Sequence, residues 1–224
     1  MWQGLVFAAV DEANAPQFDA FVAGIDARLG ANRHLESYGH HHRVGYDVAC
    51  NWKVYVDNYL EGYHIPIVHP SLHRELDYQR YRTETFDHFS IQHAPIRGTA
   101  EPRLRVVDGV SAEAQYFWVF PNLMLNVYPD NFSTNLIVPL GPERTLTVFE
   151  WFFAPGAGEA ARRAVEETVA FSDEVQVEDV AMCETVQRNL RSRSYGSGRY
   201  SVRRENGVHH FHGLLARYLA GSPL

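Results

Sequence analysis

The chain has 224 residues, 46% of them hydrophobic and 21% charged, an ordinary globular composition that can bury a sizeable core in one large domain or two small ones. A net charge of −7 without a long basic run argues against nucleic acid and anionic membranes as partners. No stretch of 18 apolar residues marks a membrane span, and the start MWQGLVFAAVDEANA lacks the charged and long apolar regions of a signal peptide.

Residues 3–10 read as a strand. Residues 16–30 carry Phe18, Phe21, Val22, Ile25 and Leu29 at helical spacing, with Gly30 as the stop. Residues 40–49 read as a second strand. Asn51 is a good N-cap for a helix of about three turns over WKVYVDNYLEGYH, which Pro66 and Pro70 are expected to break around His69. Several strands follow over 78–140, with turns at PRLRVVDG, FPN and YPDN, and YFWVFPNLMLNVYP (116–129) is the most apolar. Residues 134–155 read as a hairpin turning at LGPER. One long helix runs from about Gly158 to Arg193, with Val165, Val169, Val175, Val180, Cys183, Val186 and Leu190 recurring at three to six residues and Gly196 and Gly198 ending it. A short helix covers 208–220. The expected architecture is α+β, an antiparallel sheet with a long C-terminal helix across one face. Cys50 and Cys183 stand outside any CxxC motif and read as free thiols in a cytoplasmic protein.

The chemistry concentrates in DNYLEGYHIPIVHP (57–70). On an unbroken helix, residues five apart point roughly 140° away from each other. His64 and His69 can therefore face one ion only if the helix breaks between them, which Pro66 is expected to do. Two imidazoles with one carboxylate on a single face leave open positions, the arrangement of mononuclear iron(II) sites that activate O2. The candidate carboxylates are Glu178 and Asp179, with Asp173, Glu174 and Glu184 as competitors. The His40–His42 run, His209, His210 and His212 are further metal candidates, while His73 reads as exposed.

The segment NWKVYVDNYLEGYHIPIVHP resembles the iron-binding segment of Rieske non-heme iron oxygenase α subunits, in their catalytic domain, and VEDVAMCETVQRNLRSRSYGSGRYS (177–201) extends the match. The resemblance implies His64, His69 and Asp179, rather than Glu178, as ligands of a mononuclear Fe(II). It implies Glu61 as the acid that bridges to a neighbouring subunit's cluster, and a glutamate there is similar to the branch acting on quaternary amines such as carnitine and betaines. Asn58 would orient the site and Tyr63 would pack. WVFPNLMLNVYPD resembles the family's pocket strand, so Phe117, Trp118, Phe120, Asn126 and Tyr128 are the expected pocket walls. Aromatic walls suit an aromatic compound by stacking or a quaternary ammonium by cation–π attraction.

The implied fold is the helix-grip type, like START and Bet v 1 proteins. The implied activity is O2-dependent hydroxylation or oxidative demethylation by a mono- or dioxygenase working as a homotrimer. The CxH and CxxH pairs that would hold a [2Fe–2S] cluster are missing, so a Rieske domain and reductase are expected in trans, with no turnover alone. Residues 1–14 are expected to be the end of a Rieske domain and 15–224 the catalytic domain. Two rival readings are a non-catalytic helix-grip ligand-binding module and a metal-dependent hydrolase, which would want zinc and a general base.

Overall fold

The computed structural model describes residues 1–9, 15, 17–30 and 35–221. Helix α1 (Phe18–Leu29) buries Val22, Ile25 and Leu29 and ends at Gly30, whose φ of 58° favours glycine. Strand β1 (Gly39–Val48) leads into α2 (Trp52–Tyr59), and two short helices follow, α3 (Ile65–Val68) and α4 (Pro70–Glu75). Strands β2 (Arg82–Thr85), β3 (Phe89–Pro95), β4 (Glu113–Val119), β5 (Leu123–Val127), β6 (Asn131–Gly141) and β7 (Arg144–Phe153) complete the sheet. Helix α5 (Gly158–Asn189) and helix α6 (Asn206–Leu219) close the chain.

The seven strands form one sheet in the order β1-β7-β6-β5-β4-β3-β2, and every neighbouring pair is antiparallel. This is the expected α+β arrangement. Alternation along the central strands divides the side chains between two faces. Ile91, Phe117 and Leu125 pair across β3, β4 and β5 and pack with Val22, Ile25 and Leu29 of α1. The opposite face carries a different row. Gln92 pairs with Tyr116, Tyr116 with Asn126, Asn126 with Ser133, and Ser133 with Trp151. Helix α5 lies over this side. Its buried residues are Thr168, Phe171, Gln176 and Cys183, two of them polar amides or hydroxyls, so hydrophobic spacing alone understates its buried face. Helix α6 packs Phe211 and Leu214 under Trp118, and its Gly207 lies where an added Cβ would meet the Leu60 carbonyl oxygen at 2.6 Å, an approach that only glycine allows.

Three boundaries differ from the sequence expectations. The N-terminal strand over 3–10 does not form among the described residues. Trp2 and Leu5 exchange backbone hydrogen bonds of 2.9 and 2.8 Å across a tight turn, with positive φ at Gln3 and Gly4, and residue 10 lies outside the described residues. Helix α2 stops at Tyr59 rather than running to His64. Pro66 and Pro70 sit in the first turns of α3 and α4, where proline begins a helix rather than breaking one. Helix α5 ends at Asn189, well before Gly196. By Val186 and Leu190 its side chains are exposed, so no core remains for further turns to bury against.

Candidate metal centre

The site is assembled from two places, the 61–69 segment and the middle of α5. Asn51 caps α2 by accepting a 3.1 Å hydrogen bond from the Lys53 amide, and Leu60 closes the helix by donating to the Val56 and Asp57 carbonyls. The chain then turns through Glu61 and Gly62, where a Cβ on Gly62 would meet the Tyr81 ring at 2.6 Å. His64 and His69 flank the four residues of α3, and His69 leaves the helical region with ψ of 67°. That break lies at His69 itself, not at Pro66 as expected from sequence. It brings the two imidazole centres within 5.0 Å at an interplanar angle of 78°.

Both rings offer Nε2 to the same carboxylate. Asp179 Oδ1 lies 3.0 Å from His69 Nε2 and 3.7 Å from His64 Nε2. One ligand atom from each of His64, His69 and Asp179 falls within 4.8 Å of the others, and among the described residues this is the one such group of histidine, cysteine or acid side chains. The other ring nitrogens are held from behind. Glu61 Oε1 is 2.5 Å from His64 Nδ1, and Glu178 Oε2 is 2.7 Å from His69 Nδ1. Imidazoles fixed at Nδ1 by carboxylates with Nε2 facing a third ligand are the arrangement that orients histidine toward a metal. Asn58 donates a 2.6 Å hydrogen bond to Asp179 Oδ1 and sets its rotamer. Glu61 also accepts from the Tyr63 amide at 2.7 Å and the His64 amide at 3.3 Å, so one buried acid shapes the turn and holds the ring. Burial pulls the His69 pKa down, but the Asp179 and Glu178 carboxylates together hold it above its ordinary value. The donor set, two nitrogens and one oxygen with supported geometry, fits a divalent first-row transition metal.

Beside the centre lies a partly open cavity. The row from Gln92 to Trp151 forms its floor, Phe171 and Gln176 of α5 its roof, and Tyr55, Tyr59, Tyr81 and Tyr128 its sides. Burial keeps the phenols neutral; the Tyr128 hydroxyl is pushed up to about 12. Tyr59 donates to Asn126 Oδ1 at 3.0 Å, and Tyr55 donates to Gln176 Oε1 at 2.6 Å.

Of the expected walls, Asn126 and Tyr128 line this cavity, whereas Phe117, Trp118 and Phe120 do not. Phe117 points to the α1 face of the sheet, because it follows Tyr116 by one residue. Trp118 shares the cavity face but sits two residues further along β4, under Phe211 of α6, and Phe120 packs against Trp118 and Tyr218. The lining residues Tyr116 and Gln92 had a signal in the sequence, the even spacing along β4 and its partner strand, that becomes usable only once the register is known. The other candidate histidines of the described chain lie elsewhere. His40 reaches Glu150 on the sheet edge, His42 stacks on its cross-strand partner Trp151, His212 bonds Asp57 at 2.8 Å, and His210 packs against Trp118. No described helix is long and apolar enough to cross a membrane.

Comparison with known proteins matches residues 35–221 to the ring hydroxylating alpha subunit (catalytic domain) family. A chloroplastic choline monooxygenase of Arabidopsis thaliana is 42% identical over 177 residues, 77% of this chain and 40% of that protein. The carnitine monooxygenase oxygenase subunit of Escherichia coli (strain K12) is 30% identical over 231 residues, 96% of this chain and 59% of that protein. The chain therefore spans about two-fifths to three-fifths of these relatives. A solved quaternary ammonium Rieske monooxygenase, described for carnitine oxidation and inter-subunit electron transfer, superimposes with a TM-score of 0.83 at 27% identity, over 97% of this chain and 60% of that one. Naphthalene 1,2-dioxygenase from Rhodococcus sp. shares the fold, with a TM-score of 0.75 at 15% identity over 99% of this chain and 66% of that one.

Proposed function

The chain belongs to the family of ring hydroxylating alpha subunit catalytic domains, and from that premise we propose that it is the oxygenase half of a Rieske-type enzyme acting on a quaternary ammonium compound. The observation that carries the reading is the convergence of His64 Nε2, His69 Nε2 and the Asp179 carboxylate beside an aromatic cavity. These three residues would hold mononuclear iron(II), which, when bound, supplies O2 activation at its open positions. The protein's own part is orientation and enclosure. Glu61 and Glu178 lock the imidazoles, Asn58 locks Asp179, and the neutral tyrosines offer π-faces to a cation. Glu61, buried and bonded to His64, is proposed as the point where electrons arrive from a Rieske domain on another subunit of a homotrimer. Residues 1–9 and the undescribed 10–14 are proposed as the end of such a domain, and two buried free thiols suit a reducing compartment such as the cytoplasm.

No observation favours the rival readings. A hydrolase needs a free general base at the metal, but Glu61 and Glu178 are each committed to an imidazole and Asp179 to Asn58 and His69. The test is elemental analysis of anaerobically purified, iron-loaded protein, then turnover of quaternary amines with an added Rieske donor and reductase. About one iron per chain and oxygenated or demethylated product are expected. Failure to bind any metal after anaerobic loading would sink the proposal.

A further inference from the structure

Residues 96–112, which join β3 to β4, form a far longer connection than the links 120–122, 128–130 and 142–143 of the neighbouring hairpins. Within 97–112 only Leu104 is buried, and it lines the cavity beside the proposed metal centre. The connection is fastened around this one residue. The Arg103 guanidinium lies 4.6 Å from the centre of the Phe171 ring in the cavity roof and donates to Glu174 at 3.1 Å. Arg105 donates to Asp130 and Thr168 at 2.6 Å each.

The backbone at the same point is held by a buried acid that the proposed chemistry leaves unused. Glu75 is 3% exposed, and its Oε2 accepts from the amides of Arg103 at 3.0 Å and Leu104 at 3.1 Å. Its own carbonyl accepts from the Arg97 amide at 2.7 Å, at the root of the connection. Burying a carboxylate is costly, and hydrogen bonds to it are about twice as strong as neutral ones, so Glu75 is the firm anchor of this wall.

Glu75 is also the last residue of α4, and α4 begins directly after His69. The first turn of that helix is fastened as well. Ser71 donates to Glu174 Oε1 at 2.5 Å, and Arg103 takes the other oxygen of the same acid. Arg103, Glu174, Ser71, α4 and Glu75 therefore close a ring of contacts. Leu104 stands on one side of it and His69 on the other, joined by a helix of six residues.

We infer that Glu75 is a positioning residue that couples the cavity wall at Leu104 to His69 through α4, so that a metal at the proposed centre steadies the wall and the seated wall tightens the centre. This inference rests on the metal reading above. Such coupling is reciprocal: the factor by which iron steadies the wall sets the factor by which the anchored wall strengthens iron binding.

Hydrogen–deuterium exchange of the whole chain, run anaerobically with and without iron(II), tests this by mass spectrometry of peptides covering 99–105 and 106–111. Iron is expected to slow exchange in 99–105 roughly tenfold and to leave 106–111 unchanged. In Glu75→Met, checked for folding by thermal melting, the iron-dependent slowing is expected to vanish, with iron(II) bound roughly tenfold more weakly but still at one per chain when saturating. Glu75→Gln keeps an acceptor without the charge and should fall between wild type and Glu75→Met; it carries the comparison if the methionine variant does not fold. Iron that binds without slowing 99–105 selectively overturns the inference and leaves the proposed function standing. So does iron-dependent slowing that persists undiminished in the folded variant while exchange rises equally with and without iron, the mark of a purely structural role. No iron bound by the wild-type chain overturns the metal reading itself, and the inference with it.

Discussion

Glu178 and Asp179 are adjacent on α5 and grip opposite nitrogens of one ring. Glu178 Oε2 lies 2.7 Å from Nδ1 of His69, and Asp179 Oδ1 lies 3.0 Å from Nε2. Two acids side by side in sequence thus stand differently, Asp179 on the side shared by both Nε2 atoms and Glu178 behind His69, and the proposed function gives them different work.

That division predicts unequal losses. Asp179→Ala removes the oxygen shared by both histidines and is expected to abolish stoichiometric iron binding. Glu178→Gln removes only the charged partner behind His69, so iron affinity should drop about 10- to 100-fold while saturating iron still gives one ion per chain. Iron titrations followed by elemental analysis separate the two. Equal loss in both variants would overturn the assignment of Asp179 as the ligand.

The two histidines were readable from sequence because their placement is local. A capped helix, a turn at Gly62 and one further turn of helix set His64 against His69 without help from the rest of the fold. The choice between Glu178 and Asp179 is not local. Neighbouring residues on a helix differ by roughly 100°, so the answer depends on how α5 is rotated over the sheet. That rotation is set by Phe171, Gln176 and Cys183, of which the polar Gln176 is invisible to a hydrophobic pattern. The walls were harder again. Phe117 and Tyr116 are equally apolar neighbours on β4, and only the pairing of Tyr116 with Gln92 and Asn126 reveals which of them faces the cavity. A floor of buried amides and hydroxyls breaks the rule that buried means apolar, which is why Gln92, Ser133 and Asn135 escaped notice.

Glu61 joins the ring of His64 to the backbone of the turn that carries it. In Glu61→Gln one oxygen remains to accept a hydrogen bond, so the turn should persist and saturating iron should still bind. What is lost is the charge behind Nδ1 and the acid proposed to meet an electron donor. Turnover with an added Rieske partner is expected to fall on the order of 100-fold, with iron stoichiometry unchanged. Wild-type turnover in the iron-loaded variant would remove Glu61 from electron transfer.

Away from the site, His93 links three strands, with Nδ1 2.8 Å from Glu113 and Nε2 3.1 Å from Glu84. The hydrogen bond to Glu113 raises the His93 pKa above its ordinary 6.5 despite partial burial, and the same bond lowers that of Glu113 below its ordinary 4.5. The raised histidine contributes stability that is complete below 6.5 and lost as pH rises through its folded value. The lowered glutamate contributes stability that is complete above 4.5 and lost as pH falls through its folded value. The pair is therefore at full strength between 4.5 and 6.5. Urea unfolding of wild type and His93→Gln across this range should show the largest gap inside it and a narrowing gap on the alkaline side. A gap that widens with rising pH would show that the charged imidazole is not the stabilising form.

The two cysteines give the last prediction, and it reports on the seam where α5 meets the start of α2. Cys50 and Cys183 are both fully buried in one cluster with Val56, Leu60 and Phe211. The flanking backbone amides are clamped to the same helix, Ala49 donating to Glu184 at 3.0 Å and Asn51 to Gln187 at 2.9 Å. The hydrogen bond between the two thiols pulls Cys50 down and, with burial, pushes Cys183 up, so it is the full burial of both side chains that keeps a reagent away from either sulfur. The native protein should therefore resist alkylation, while both thiols react in denaturant. Asp179 lies one helical turn before Cys183, so loosening of this seam reaches the proposed metal ligand directly. Iron binding should then slow any residual labelling, because it holds Asp179 and the helix in place. Rapid modification of folded protein, with or without iron, would mean that α5 does not stay seated on α2 in solution.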